Sequence, residues 1–200
     1  MTDDPTAARL TVGVFAGSAP DSDPAHRPAA ARLGELLAQA GVAVVYGGGR
    51  LGMMGAFADG VLAAGGDVLG VVPRGLFRPG EIHPRITLVE AESLHERKLE
   101  LLRRADAFVA LPGGFGTLDE VGEVLTWSQI GIHHKPIVLL DLDGSWRALA
   151  DWIEQAVAHG YVPESSRAMV TLVGRPEDVL PAVRAYRPPP ALHALDPDQA

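Results

Sequence analysis

The residues best equipped for chemistry lie in one run, Leu111–Pro112–Gly113–Gly114–Phe115–Gly116–Thr117–Leu118–Asp119–Glu120. An apolar stretch, Ala107–Leu111, precedes it and reads as a buried strand; a helical pattern follows from Leu118 to about Ile130. Glycines at 113, 114 and 116 permit backbone angles and close approach that a side chain forbids. A strand, glycine loop and helix in that order aim free N–H groups and the positive end of the helix dipole at one point, which suits a phosphate. Thr117 reads as the helix cap or as a hydroxyl ligand of that phosphate. The spacing Thr117-x-x-Glu120 has two readings: a capping box, or a carboxylate held one turn beyond a phosphate cradle. The run is neither a Walker A loop nor the dinucleotide G-x-G-x-x-G.

A second set of charged candidates sits on the helix expected over Ser93–Arg104. Leu94, Arg97, Leu101 and Arg104 share one stripe, so Arg97 lies between two apolar positions and needs a partner if it faces inward. The ordinary partners are Glu96 or Glu100, or solvent reached by snorkelling. Lys98 stands on the neighbouring ridge. His133 and His134 are adjacent, so they point in different directions, and no third ligand accompanies them; they read as surface histidines near a helix end, and no metal is expected. No Gly-x-Ser-x-Gly elbow is present. Only two lysines occur, Lys98 and Lys135, a poor supply for a Schiff-base enzyme.

The central run resembles the PGGxGTxxE signature of the LONELY GUY family, the cytokinin riboside 5′-monophosphate phosphoribohydrolases. The resemblance extends to Leu94–His95–Glu96–Arg97–Lys98, Tyr46–Gly47–Gly48–Gly49, Met53–Met54–Gly55, Thr126–Trp127 and Gly131–Pro136, roughly Val12 to Tyr186. Departures are Leu94 for a common methionine, Arg50 for a small residue and Ala16 for a frequent cysteine. The family implies hydrolysis of the N-glycosidic bond of N6-modified adenosine monophosphates, and often of AMP, to free base and ribose 5-phosphate. It assigns catalysis to Arg97 and Glu120. It implies substrate contacts at Glu81, Lys98, Gly113, Gly114, Phe115, Gly116, Thr117, Leu118, Asp119 and Thr126, although a mid-helix threonine is ordinarily structural. No cofactor is implied; a homodimer with N6-isopentenyl-AMP or AMP as ligand is. A different class shares the glycine loop: Rossmann-like proteins that carry molybdenum cofactor or bind nucleotides without hydrolysing them. The family's members are often labelled lysine decarboxylases, a reading that the scarcity of lysine argues against.

The elements that must position these residues are legible as apolar runs without alternation, Leu10–Phe15, Val42–Tyr46, Val68–Val72, Ile86–Val89, Ala107–Leu111, Ile137–Leu142 and Met169–Val173. Helical patterns separate them at Ala29–Ala40, Met53–Ala64, Ser93–Arg104, Leu118–Ile130, Trp146–Ala158 and Pro176–Ala185. This alternation predicts a Rossmann-like, doubly wound parallel α/β sheet in one domain over about 9–186, with a flexible N-terminus at 1–8 and a disordered tail at 187–200. Glycine-rich turns after the first, second and fifth strands converge beyond the carboxyl edge, where such sheets bind ligands. Pro73–Arg85 is expected to be a mobile loop over the cleft. Gly122 inside its helix suggests packing against a neighbouring backbone, and Val124 with Trp127 offers an apolar face for a second subunit or, equally, for the core. Two hundred residues, 47% hydrophobic and 21% charged, suit a globular protein with a real core. A net charge of −8 gives no footprint for nucleic acid or anionic membrane. The absence of cysteine excludes disulfides and thiolate chemistry and fits a cytoplasmic setting; neither a signal peptide nor a membrane span is visible.

Overall fold

Strands built of Val, Leu, Ile and Ala with no polar alternation need cover on both faces, and the chain supplies it. The computed structural model describes residues 9–78 and 80–190. The expected flexible N-terminus and residues 191–200 of the expected tail lie outside the described residues. Seven parallel strands form one sheet in the order β4-β3-β2-β1-β5-β6-β7. They are β1 (Thr11–Phe15), β2 (Ala43–Tyr46), β3 (Val68–Pro73), β4 (Thr87–Ala91), β5 (Ala107–Ala110), β6 (Ile137–Leu140) and β7 (Val170–Val173). The helices are α1 (Arg27–Gln39), α2 (Gly52–Ala63), α3 (Leu94–Arg104), α4 (Phe115–Gln129), α5 (Arg147–Ala158) and α6 (Val179–Ala185). Short 3-10 turns at Pro24–His26 and Glu164–Met169 were not anticipated, and the first turn of the last expected helix, Pro176–Asp178, is 3-10.

Helices α1, α2 and α6 cover one face, packing Leu33, Phe57 and Val183 on Val12, Val14, Tyr46 and Val109. Helices α3 and α4, with Trp146 ahead of α5, cover the other, packing Leu101, Val121 and Trp127 on Phe15, Val45 and Phe108. The pleat sends neighbouring residues of β1 to opposite layers: Val14 to the first, Phe15 to the second, where its ring stacks on Phe108 at 5.5 Å. Helices α1 and α2 touch backbone to backbone. A Cβ on Gly34 would lie 2.4 Å from the Phe57 carbonyl, and one on Gly60 would lie 2.1 Å from that of Ala31.

On the second layer two expectations need correction and one open alternative is decided. Helix α4 starts at Phe115, three residues earlier than its apolar period suggests, because Gly114 adopts the extended N-cap conformation and Leu118 N–H already donates to the Gly114 carbonyl. Gly122 is exposed, and a Cβ there would meet nothing within 4 Å, so no neighbouring backbone explains it. Val124 and Trp127 are 3% and 8% exposed and belong to the chain's own core. His133 is also misplaced by the surface reading. It is buried, tilted against Phe108, and bonded through Nε2 to the Val124 carbonyl at 2.9 Å. The Lys135 N–H donates to its Nδ1, which leaves the proton on Nε2. Burial pushes this imidazole down to about 4, so it is neutral at ordinary pH.

Candidate active site

Three turns meet at the carboxyl edge of the sheet. Gly17, after β1, donates to the Pro112 carbonyl at 3.1 Å, and a Cβ on it would lie 3.1 Å from the Gly113 Cα. Its own carbonyl accepts from Met54 N–H in the first turn of α2. Only glycine at these crossings lets the β1, β2 and β5 turns approach so closely. They enclose a cleft of about 490 Å³. Gly114, Gly116 and Thr117 form one wall, Ala16–Ala19 another, Leu76, Phe77, Glu81 and Leu94 a third, and Arg97 with Glu120 the floor. A depression of about 570 Å³ around Tyr161 and Arg167 is larger, but no buried carboxylate lines it.

The start of α4 at Phe115 settles the two readings of Thr117. It is the third helical residue, not the cap, and its buried hydroxyl fills the space that a Cβ on Gly113 would occupy. The capping box with Glu120 is therefore overturned: Glu120 is nearly two turns into the helix and cannot reach back. The first-turn amides of Phe115, Gly116 and Thr117 have no intrahelical acceptor. Gly113, Gly114 and Gly116 are solvent-exposed, so the anion site is open.

Glu120 and Arg97 are both buried, at 4% and 8% exposure. Arg97 Nη2 lies 2.8 Å from Glu120 Oε1. The approach misses hydrogen-bond direction, so Glu120 Oε1 and Arg97 Nε remain without hydrogen-bond partners. The ordinary partners Glu96 and Glu100 are taken elsewhere, by Glu92 N–H and by Arg104. Gly47 makes room for the guanidinium: a Cβ there would meet Arg97 Nη2 at 2.4 Å. Burial raises the Glu120 carboxyl to about 7, against the lowering effect of Arg97. A carboxyl in that range gives up or accepts a proton near neutral pH.

The other family-derived residues divide. Glu81 lines the cleft, and its carboxylate accepts the Arg78 N–H at 2.8 Å. Its segment is tied down at several points: Arg50 N–H donates to the Glu81 carbonyl, His83 N–H to the Gly48 carbonyl, and Gly49 bridges Ile82. His83 is buried against Asp59. Lys98 turns away from the cleft toward Asp119 at 3.2 Å and Glu123 at 3.0 Å. Leu118 and Thr126 face a separate apolar groove of about 480 Å³ between α4 and α5, and the Thr126 hydroxyl donates to the Gly122 carbonyl. Phe115, the first residue of α4, is 92% exposed and lines neither. Sequence reasoning missed Leu76, Phe77 and Glu123. The first two sit in an irregular segment with no period to read, whereas the spacing of Asp119 and Glu123 on one helical ridge was a usable signal. Lys135, the other lysine, donates to the Leu102 carbonyl near the end of α3, and neither lysine lines the cleft. Among the described residues no cluster of histidine and carboxylate has the form of a metal site, and no helix is long and apolar enough to cross a membrane.

Fold and cleft together define a doubly wound α/β protein with an open, glycine-rich helix N-terminus and a buried Arg–Glu pair. Residues 54–183 match the family model described as "Possible lysine decarboxylase". The cytokinin riboside 5′-monophosphate phosphoribohydrolase LOG7 of Arabidopsis thaliana is 40% identical over 178 residues, covering 88% of this chain and 81% of that one. The corresponding enzyme LOG of Oryza sativa subsp. japonica is 39% identical over 177 residues, covering 88% and 73%. The molybdenum cofactor carrier protein of Chlamydomonas reinhardtii superposes with a TM-score of 0.68 at 24% identity, covering 88% and 96%, and shares the fold. The chain belongs to the LONELY GUY family of cytokinin riboside 5′-monophosphate phosphoribohydrolases.

Proposed function

We propose that this protein hydrolyses the N-glycosidic bond of nucleoside 5′-monophosphates, N6-isopentenyl-AMP and AMP among them, to free base and ribose 5-phosphate. The observation that carries the reading is the buried Arg97–Glu120 pair beside an open helix N-terminus, with the Glu120 carboxyl near 7. The 5′-phosphate rests on the amides of Phe115, Gly116 and Thr117. This places the ribose over Glu120 and the base toward Leu76, Phe77 and Leu94. As the C1′–N bond breaks, its electron pair leaves with the base and positive charge grows on the sugar. The Glu120 carboxylate stabilises that charge and takes a proton from the attacking water, whose oxygen bonds to C1′. The proton then passes to the departing base nitrogen, so the base leaves neutral and Glu120 is ionised again. Arg97 orients the carboxylate and favours its ionised form. Glu81 contacts the substrate from the opposite wall. No metal or redox cofactor enters this scheme.

The protein works as a homodimer in the cytoplasm, with the α4–α5 groove as its interface. Leu118, Gly122 and Leu125 line that groove on α4, and Trp152, 60% exposed, faces it from α5. The stripe runs on to Phe115 at the phosphate turn, so a second copy seated there borders the cleft, and Thr126 reaches substrate only in that arrangement. The net charge of −8 offers neither nucleic acid nor anionic membrane a general attraction.

Incubation with AMP and N6-isopentenyl-AMP, followed by chromatography for free base and ribose 5-phosphate, tests the reaction. Base release that disappears in Glu120→Gln supports it; tight nucleotide binding by wild type without release favours a carrier.

A further inference from the structure

We propose that Lys98 is a positioning residue for Glu120: it neutralises the two carboxylates that flank Glu120 on α4 and does not touch the nucleotide. The inference rests on the hydrolase reading for its functional meaning, and on geometry for its substance. Arg97 and Lys98 are neighbours on α3 but diverge, Arg97 to Glu120 and Lys98 to Asp119 and Glu123. The Lys98 and Glu123 side chains are only 18% and 20% exposed, so this is a largely desolvated pair, not a rim contact. Lys98, Glu120 and Glu123 also line one gap of about 10 Å³, walled by Phe15, Leu101, Phe108, Val124 and Trp127. A gap this small and apolar holds little water to screen the charges from one another.

The charges around Glu120 are then countable. Helix α3 presents Arg97 and Lys98; α4 presents Asp119 and Glu123; Glu81 faces it across the cleft. With Lys98 in place, the two cations of α3 balance the two flanking anions of α4. Without it, Asp119 and Glu123 lose their partner and press on Glu120, and ionising a third carboxylate between them becomes harder. Lys98 and Arg97 each favour the ionised form of Glu120, while Asp119 and Glu123 oppose it, burial being the largest influence. A nucleotide contact would instead place the Lys98 ammonium in the cleft, which it does not line.

The test uses wild type, Lys98→Arg, Lys98→Met and the triple variant Lys98→Met, Asp119→Asn, Glu123→Gln. Two quantities are followed: the pH dependence of AMP hydrolysis, and the titration of the Glu120 carboxyl by carbon-13 NMR in the free protein. Lys98→Met is expected to move the Glu120 midpoint upward by about one pH unit, and the triple variant to bring it back. Lys98→Arg should leave it in place. On the alkaline plateau the KM for AMP in Lys98→Met should stay within about threefold of wild type. An unmoved midpoint overturns the proposal; an unmoved midpoint with a KM raised about tenfold or more returns Lys98 to the substrate-contact role. If Lys98→Met does not fold, Lys98→Gln takes its place, and the triple variant keeps its predicted return to the wild-type midpoint. Should wild type release no base from any nucleotide, the hydrolase reading fails, and the carboxyl titration still decides the role of Lys98.

Discussion

Glu120 illustrates how a single side chain acquires a role that its type does not announce. Its spacing from Thr117 fits a cap, and the backbone decides otherwise by starting the helix at Phe115. Glu120→Gln keeps the shape and removes the charge. The expected outcome is base release lowered roughly 100-fold or more with AMP affinity little changed, measured by product chromatography and calorimetry. Because the carboxylate is the working form, wild-type turnover should rise with pH through about 7. The same carboxyl marks stability. Its folded value near 7 exceeds the ordinary 4.5, so between those pH values the folded state keeps a proton that the unfolded chain releases. Its contribution is complete below about 4.5 and is lost as pH rises through about 7. His133 acts in the opposite sense, its folded value near 4 lying below the ordinary 6.5; its contribution is present above 6.5 and lost as pH falls toward 4. Urea denaturation of wild type and Glu120→Gln at pH 5 and pH 8 separates the two: the variant should lose the acid-favoured part and keep the His133 dependence.

At the scale of elements, the strands and helices were legible because burial on both faces leaves apolar runs that differ from the 3.6-residue pattern. All seven strands and six helices follow from those runs, with ends displaced by a few residues. The start of α4 was hidden because a glycine loop has no side chains from which to read a period. Arg97 was legible as an inward charge needing a partner; that Glu120, on another helix, could be that partner came from the family resemblance and not from the residue pattern. The packing that joins them runs through Gly47. Gly47→Ala brings a methyl to within 2.4 Å of Arg97 Nη2 and 3.0 Å of Met54 Cε, both ends of flexible side chains. The fold should survive, while turnover falls roughly 10- to 100-fold from a misplaced Arg97, as read from circular dichroism and base release together. In the α1–α2 contact the obstacle is backbone, so Gly60→Ala is expected to cost about 3 kcal/mol or more in urea denaturation. The first turn of α4 makes a separate expectation. Adding AMP or inorganic phosphate should shift the amide resonances of Phe115, Gly116 and Thr117 more than those of the α4 interior, and unshifted resonances at saturation would remove the phosphate cradle.

At the scale of the molecule, an apolar groove carrying the exposed Leu118 and Trp152 opens between α4 and α5, whereas Val124 and Trp127, open to either reading in the sequence, are core. Both faces of α4 carry apolar residues, and only the position of the sheet tells core from surface, which the sequence pattern alone does not contain. Gly122 belongs to this account: on an open surface alanine would favour the helix by about 1 kcal/mol, and an exposed glycine here leaves room for a second helix to approach. Leu125→Glu with Trp152→Glu is expected to give a monomer by light scattering at concentrations where wild type is a dimer. Wild type with a monomer mass would reject the groove as an interface between copies.

The strand order has a consequence for how the chain is made. The central strand, β1, leaves the ribosome before the other six, yet one of its flanks is β5, which pairs Val12 with Ala107. Strands β2, β3 and β4 can add to the other flank in turn. Until Ala107 emerges, the nascent chain carries a half-sheet whose strand β1, buried in the finished fold, presents an open edge, the kind of surface that invites pairing with other chains. Arrival of β5 closes that edge and brings with it, within the next ten residues, the glycine turn of the cleft. Protection from misassembly and completion of the cleft's glycine wall are thus one event in biogenesis.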